Sequence, residues 1–362
     1  MTKPKIWHLV SNRWNSAIAE YALQTSRALR DLEYPTLITP LAERPLANRA
    51  TEHGLAVEAV SSFRPKLEVW QRLKEIRTNF QPDILIVYGG QETFFSRFLA
   101  AGRPILRFRG QNEDVLKTGH LLSRFGQKSI QALLAPSQAV ASRLRQSWRT
   151  PVFVVPLGCD RERFYHQSEA FRKLQRPSLQ IVGRLDPIKG HQRFFYFFRE
   201  LLRRWPSDFA RPYLEIIGEA ANVSNQELRQ IASSLQLVEG VDWALIDRRL
   251  PDIGAAMSAA HLGVICSLGS EVICRVAEEY LLCGTPIFVS GVGSLEECLF
   301  HKRAGASYRG LDMHAAVDLL SQQLLQAYQE TSEQRQERAQ AAALHFSRQR
   351  MGERLSEVIA NF

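Results

Sequence analysis

Short apolar runs alternate with longer amphipathic stretches along most of this chain, in two successive series. A strand buried on both faces reads as a continuous apolar run. Reaching a parallel neighbour takes a crossover of a dozen or more residues, usually a helix, so the pattern predicts parallel sheets covered by helices. The first series supplies strand candidates at Ile6–Val10, Pro35–Thr39, Ile84–Tyr88, Pro104–Phe108, Ala132–Ala135 and Val152–Val155, with helices predicted notably over Ile18–Leu32 and Leu67–Phe80. The second starts afresh with Leu179–Val182 and continues through Tyr213–Ile217, Ala244–Ile246, Leu262–Cys266 and Ile287–Val289. Asp160 to Pro177 is polar and weakly periodic and is read as the linker. A chain of 362 residues is long enough for two cores. The expectation is an α/β protein of two Rossmann-like doubly wound domains facing a central cleft, with ligands at the carboxyl ends of the strands.

Several function classes fall away. No G-x-G-x-x-G fingerprint occurs, which argues against a dinucleotide-binding oxidoreductase. Cys159, Cys266, Cys274, Cys283 and Cys298 form no Cys-x-x-Cys pair and no zinc-ligand spacing, so they read as reduced, buried residues of a cytoplasmic protein. No apolar run approaches the ~18 residues of a membrane span, and Met1 to Lys5 leads into the first strand without a signal-peptide pattern. Net charge is +9, and residues 1–170 hold all of the excess, with 24 Lys and Arg against 15 Asp and Glu. That half either meets an anionic partner (a membrane surface or a phosphorylated acceptor ahead of nucleic acid) or carries a plain solvated basic surface. The helix Leu67–Phe80 has the same two readings. Val69, Trp70, Leu73, Ile76 and Phe80 share a face flanked by Lys66 and Arg77, which suits either the sheet or an anionic bilayer.

The stretch from Ser270 to Glu297 carries the first chemical signal. A helix is predicted from about Ile273 to Gly284, where Gly284 and Pro286 stop it, followed by the strand Ile287–Val289. Glu271 lies just before that helix, beside its free backbone N–H groups, and Glu279 two turns inside it. One carboxylate beside an anion site and a second further along suit a charged, hydroxyl-rich ligand. Gly284-Thr285-Pro286 follows, and Gly293 and Glu296 fall in a Gly-Gly-x-x-Glu turn in which Val292 replaces the first glycine. This pattern resembles the Glu-x7-Glu segment of retaining glycosyltransferases of the GT-B fold, family 4.

A second motif is Ile181-Val182-Gly183-Arg184-Leu185-Asp186-Pro187-Ile188-Lys189-Gly190-His191. A strand ends at a glycine, and an Arg and a Lys five residues apart precede a helix; a diphosphate needs two such cations, while taken alone the pair reads more readily as solvated surface. It resembles the family's Gly-Arg-Leu…Lys-Gly signature. The resemblance covers nearly the whole chain and is tightest from Pro156 to Glu296, where Gly158, Asp160 and Phe164 match an architectural strand-end segment and Ser137 an upstream serine. It implies an N-terminal acceptor-binding domain over 1–165, a C-terminal nucleotide-sugar domain over 170–346, and a last helix, within 347–362, that packs back on the first domain. It implies that Gly183, Arg184 and Lys189 hold the donor diphosphate, that Glu271 binds donor-sugar hydroxyls and Glu279 the ribose, and that amides of Val272, Ile273 and Cys274 meet sugar or phosphate. Arg184, Lys189 and Glu271 are the catalytic candidates, while Glu278 is read as the helix neighbour of Glu279. Relatives usually carry Gly-Phe-Gly where this chain has Val272-Ile273-Cys274.

On the acceptor side the candidates are Asn12, Arg13 and Asn15 after the first strand, Gly89 and Gly90 after Tyr88, and Arg107, Arg109 and Gln111 near Phe108. The family's glycine pair in the first of these loops and its histidine near the last are both absent. Ser16 is also a plain helix N-cap, and Arg107 and Arg109 have a local alternative in ion pairs with Glu113 or Asp114. The implied function is retaining transfer from a nucleotide-diphosphate sugar to a glycan or lipid-linked saccharide of the surface-polysaccharide type. No metal and no cofactor is implied, and the chain is expected to be cytoplasmic or peripheral on the inner face of the membrane. A small soluble acceptor, or a degenerate binding subunit, is the alternative.

Overall fold

The computed structural model describes residues 2–14, 16–110, 128–171, 175–269, 271–273, 275–301 and 303–362. They form two compact units, Met1–Gly158 with Phe346–Phe362, and Cys159–His345.

In the first unit the described strands are β1 (Ile6–Val10), β2 (Thr36–Pro40), β3 (Ala56–Val57), β4 (Ile84–Val87), β5 (Ile105–Phe108), β6 (Ala132–Ala135) and β7 (Val152–Val154), all parallel, in the order β3-β2-β1-β4-β5-β6-β7. The second unit has β8 (Ser178–Val182), β9 (Tyr213–Ile217), β10 (Trp243–Ile246), β11 (Leu262–Ile265), β12 (Ile287–Val289) and β13 (Gly305–Ser307), in the order β10-β9-β8-β11-β12-β13. Both orders reverse once, between β1 and β4 and between β8 and β11. Such a switch point splays the loops at the strands' carboxyl ends and makes the crevice where doubly wound sheets bind ligands.

β4, between β1 and β5, is apolar throughout, as a strand buried on both faces must be, and all four of its residues, Ile84 to Val87, are buried. β3 and β13, absent from the sequence expectation, are edge strands of two and three residues, with no fully buried side chain to supply an apolar run. The helix Leu67–Phe80 buries Val69, Leu73 and Ile76 inside the first unit, and Trp70 stacks on Phe95 with ring centroids 6.1 Å apart. The helix Arg348–Ile359 returns to the first unit against the helix Ala17–Asp31. Arg348 pairs with Asp31 at 2.7 Å, and Tyr34 and Ser356 share a 2.6 Å hydrogen bond. Among the described residues no helix is long and apolar enough to cross a membrane.

Candidate functional site

Two clusters stand at the two switch points, one in each unit. In the second unit β8 ends at Gly183. A short 3-10 turn, Pro187–Lys189, then precedes the helix His191–Arg204. Asp186 caps the turn, accepting from Ile188 N at 3.1 Å and from Asn222 Nδ2 at 2.8 Å; these bonds, with Arg184 and Lys189 nearby, hold its carboxyl below the usual range. The segment after β11 is zipped to this turn. Leu268 N donates to Ile188 O at 2.7 Å, and the Cys266 thiol to Lys189 O at 3.2 Å. Burial pushes that thiol up to about 12, so it remains a protonated donor.

Glycines set how close the loops come. Gly190 has φ +75°, and a Cβ there would lie 2.1 Å from Cys266 O; Gly293 has φ +67°, and its Cβ would lie 1.9 Å from Glu271 O. No L side chain fits either position without moving backbone. The close approach at Gly293 lets Ser294 donate from N at 2.9 Å and from Oγ at 3.2 Å to Glu271 O, pinning the glutamate's backbone.

The product is an ion pair across the switch point. Lys189 Nζ lies 2.5 Å from Glu271 Oε1, and Ser267 Oγ donates to the same oxygen at 2.5 Å. Glu271 is only 6% exposed. Ser267 is itself buried and fixed by Ser290 Oγ, which donates to Ser267 O at 2.7 Å. Arg184 is exposed and makes no side-chain hydrogen bond or ion pair among the described residues, and the space above Gly183 is open.

Glu279 sits within the helix Arg275–Leu282. It is buried and accepts from Arg275 Nη2 at 3.2 Å, an i,i+4 pair. Glu278 is more than its helix neighbour: it is equally buried and accepts from the Cys159 thiol at 3.4 Å. Glu296 turns to Arg309 at 2.8 Å and Ser307 at 2.9 Å, a local arrangement that lowers its pKa. Val272 and Ile273 are half-buried, whereas Cys274 lies outside the described residues. No group of three or more His, Cys, Asp or Glu among the described residues is placed to hold a metal ion.

The first unit's cluster is built around Glu92, the last residue of the Gly89-Gly90-Gln91-Glu92 stretch that follows Tyr88. Glu92, on the first turn of the helix Gly90–Ala100, is fully buried and folds back to accept from Ser11 N at 3.0 Å. Burial raises its pKa against the pull of Ser11 and Arg107. Gly89 makes room for this, since a Cβ there would lie 2.8 Å from Ser11 Oγ and 2.9 Å from both Glu92 oxygens, whereas the space beside Gly90 is open. Arg107 on β5 is 3% exposed; burial, with Arg109 adding and Glu92 opposing, pushes its pKa down to about 10, so it stays charged at neutral pH. Burial lowers Arg109 as well. Asn12 spends Oδ1 on Trp14 N at 3.0 Å, and Arg13 is exposed. Ser16 is the N-cap of Ala17–Asp31, accepting from Ala19 N at 3.2 Å. Asn15 and Gln111, with Glu113 and Asp114, lie outside the described residues.

Neither Ser267 nor Glu92 belongs to a recognisable motif. Ser267 stands four residues before Glu271 and Glu92 three after Gly89, and those offsets were the only signal available.

Comparison with known proteins fits this geometry. Residues 164–343, about half of the chain, match the family described as glycosyl transferases group 1. A curated D-inositol 3-phosphate glycosyltransferase of Pseudarthrobacter chlorophenolicus is 31% identical over 140 residues, 39% of this chain and 32% of that protein, so the match spans about a third of the relative. HepE of Anabaena, solved in complex with UDP, superposes with a TM-score of 0.79 over 99% of this chain and 100% of its own at 18% identity. A glycosyltransferase of Rickettsia africae gives 0.81 over 100% and 99% at 12% identity. With that family match, and with two parallel doubly wound units like those of its structural neighbours, the chain belongs to the group 1 glycosyltransferases and has the GT-B fold.

Proposed function

We propose that this chain is a retaining, metal-independent glycosyltransferase. It moves a sugar from a nucleotide-diphosphate sugar to a saccharide or lipid-linked saccharide acceptor of the surface-polysaccharide type. The observation that carries the reading is the Lys189–Glu271 pair at the carboxyl ends of β8 and β11, with Arg184 exposed at the end of β8 and the backbone above Gly183 left open. Arg184 and Lys189 neutralise the diphosphate as it leaves, Glu271 binds donor-sugar hydroxyls, and Glu279 binds the ribose. Amides at Val272 to Cys274 meet sugar or phosphate. The bond between the anomeric carbon and the phosphate oxygen breaks with its electron pair going to the diphosphate. The acceptor oxygen bonds to the same face of the sugar, and its proton passes to the departing phosphate oxygen. Neither glutamate acts as the nucleophile.

Support comes from family membership, from the UDP that HepE carries, and from the order and spacing of the two motifs. The basic excess in residues 1–170 supports an acceptor at an anionic membrane face, reached from the cytoplasm. No cofactor is part of the proposal, and the nucleotide sugar is the co-substrate.

The test is a thermal-shift screen with UDP, GDP and ADP on wild type, Arg184→Ala and Glu279→Ala. Turnover with the matching sugar nucleotide follows, with and without EDTA, with product configuration read by NMR. A nucleotide-specific shift lost in both variants supports the donor site; no shift with any nucleotide in a folded protein overturns it. An inverted product, or turnover abolished by EDTA, removes that part of the proposal alone.

A further inference from the structure

We propose that Ser11, Glu92, Arg107 and Arg109 form a ligand site in the first unit for an oxyanion, phosphate or carboxylate, that bears a neighbouring hydroxyl. The cluster occupies the switch point of that sheet, at the carboxyl ends of β1, β4 and β5. It contains a carboxyl and a guanidinium that are both buried, act on each other electrostatically and yet form no ion pair. Glu92 is 0% and Arg107 3% exposed, and Glu92 Oε2 and Arg107 Nε and Nη1 have no hydrogen-bond partner. Arg109 beside them has no side-chain partner among the described residues either, and the two like charges disfavour each other.

This chain treats its structural arginines otherwise. Arg335 is fully buried and donates to the carbonyls of Ser258, Ala260 and His261 at 3.1, 2.8 and 3.0 Å. Arg338, 2% exposed, donates to Gly284 O at 2.6 Å and pairs with Glu330. Where a guanidinium holds the fold together, most of its donors are spent, and the one left over at Arg335, Nε, still lies 3.6 Å from the Glu330 carboxylate. At Arg107 they are left over, and leaving buried donors unspent is costly unless a ligand completes them.

The chemistry of the unpartnered groups names the ligand class. The unspent Nε and Nη1 donors of Arg107, with Arg109 adjacent, call for an oxyanion. The free Oε2 of Glu92, whose other oxygen is held by Ser11, calls for a hydroxyl donor. Sugar and polyol phosphates, and uronates, carry both. That such a ligand is the acceptor rests on the transferase reading; the site itself does not.

The experiment is calorimetric and thermal-shift titration without nucleotide. Glucose 6-phosphate, glucuronate, inorganic phosphate and glucose are the probes, with flotation on phosphatidylinositol vesicles as a separate arm. The proteins are wild type, Arg107→Met, Glu92→Gln and, as a control for the second unit, Arg184→Ala. We expect an anionic sugar to stabilise wild type and Arg184→Ala alike, glucose to do nothing, and Arg107→Met to weaken binding at least tenfold. Ligand-free Arg107→Met should melt no lower than wild type, because an unpartnered buried charge has been removed. Glu92→Gln should weaken the sugar phosphate severalfold and leave inorganic phosphate unchanged. Vesicle binding lost in Arg107→Met, without binding of the soluble probes, assigns the oxyanion to a headgroup. The proposal is overturned if no probe binds, if binding survives in Arg107→Met, or if that variant melts several degrees lower. A normal UDP shift in the same protein would leave the donor reading standing.

Discussion

The contact between Lys189 and Glu271 sets up a competition that mutation can measure. At 2.5 Å, two unit charges attract by about 7 kcal/mol at an effective dielectric near 20. Desolvation of the carboxylate, whose side chain is 8% exposed, offsets most of that. Removing one partner of a fully buried pair costs ~3–5 kcal/mol. The Lys189 side chain is 32% exposed, and solvent screening brings the expected loss to roughly 2 kcal/mol for Lys189→Met. Glu271→Gln keeps an oxygen for Ser267 and should cost less, and the double variant should recover ~1 kcal/mol or more of the sum. A bound diphosphate would draw the same ammonium away from Glu271. Glu271→Gln is therefore expected to tighten UDP by about fivefold, near 1 kcal/mol, while Lys189→Met weakens it at least tenfold. Calorimetric UDP titration and urea unfolding of the four proteins supply both cycles. Additivity within ~0.5 kcal/mol in both, or weaker UDP binding by Glu271→Gln, would refute the competition.

Gly183 and Gly218 give opposite expectations. An added methyl at Gly183 meets nothing within 4 Å, so Gly183→Ala should shift stability by less than ~1 kcal/mol yet weaken UDP, whereas at Gly218 it would lie 1.9 Å from Gly183 O, and Gly218→Ala should cost ~1–3 kcal/mol. Thermal melts and UDP titration separate the two, and wild-type UDP affinity in Gly183→Ala would argue against a close approach of the diphosphate there. Acid sensitivity should come from buried imidazoles: burial pushes His8 and His261 down to about 3 and His191 to about 4, from an ordinary value of 6.5. The unfolded chain binds those protons first, so stability is full above pH 6.5 and falls as the pH drops towards 4, by ~3 kcal/mol for His191 alone. Melting temperature against pH should decline across that window and flatten in His261→Asn; a profile flat down to pH 4 would contradict the assignment.

Most of the fold was legible because its signals are local. Ile84–Val87 is a strand in any register that buries it, and Leu67–Phe80 shows its helical period and ends in the helix seen. The motif positions Gly183, Arg184, Lys189, Glu271, Glu279 and Gly293 were also readable, since each belongs to a pattern of fixed spacing. Boundaries slipped where the deciding contacts are distant. The short edge strands Ala56–Val57 and Gly305–Ser307 carry too little apolar sequence to announce themselves and exist because a neighbouring strand offers free backbone groups.

The sequence alone determined two parallel α/β sheets, the identity of the cations and carboxylates at the second switch point, and the glycines that let the loops near them close. Tertiary structure alone decided how those groups are used. Lys189 and Glu271 are 82 residues apart in the chain and 2.5 Å apart in space. Ser267 becomes a ligand of Glu271 only because the loop after β11 folds against the turn before the helix His191–Arg204. Glu92, Arg107 and Ser11 come from three separate segments, and nothing in their spacing says that a buried carboxyl and a buried guanidinium will be left there without pairing. Spacing along a chain encodes what one element places on one face. Which donors are satisfied and which are left over is settled only when separate elements pack, because burial and partnership belong to the assembled core.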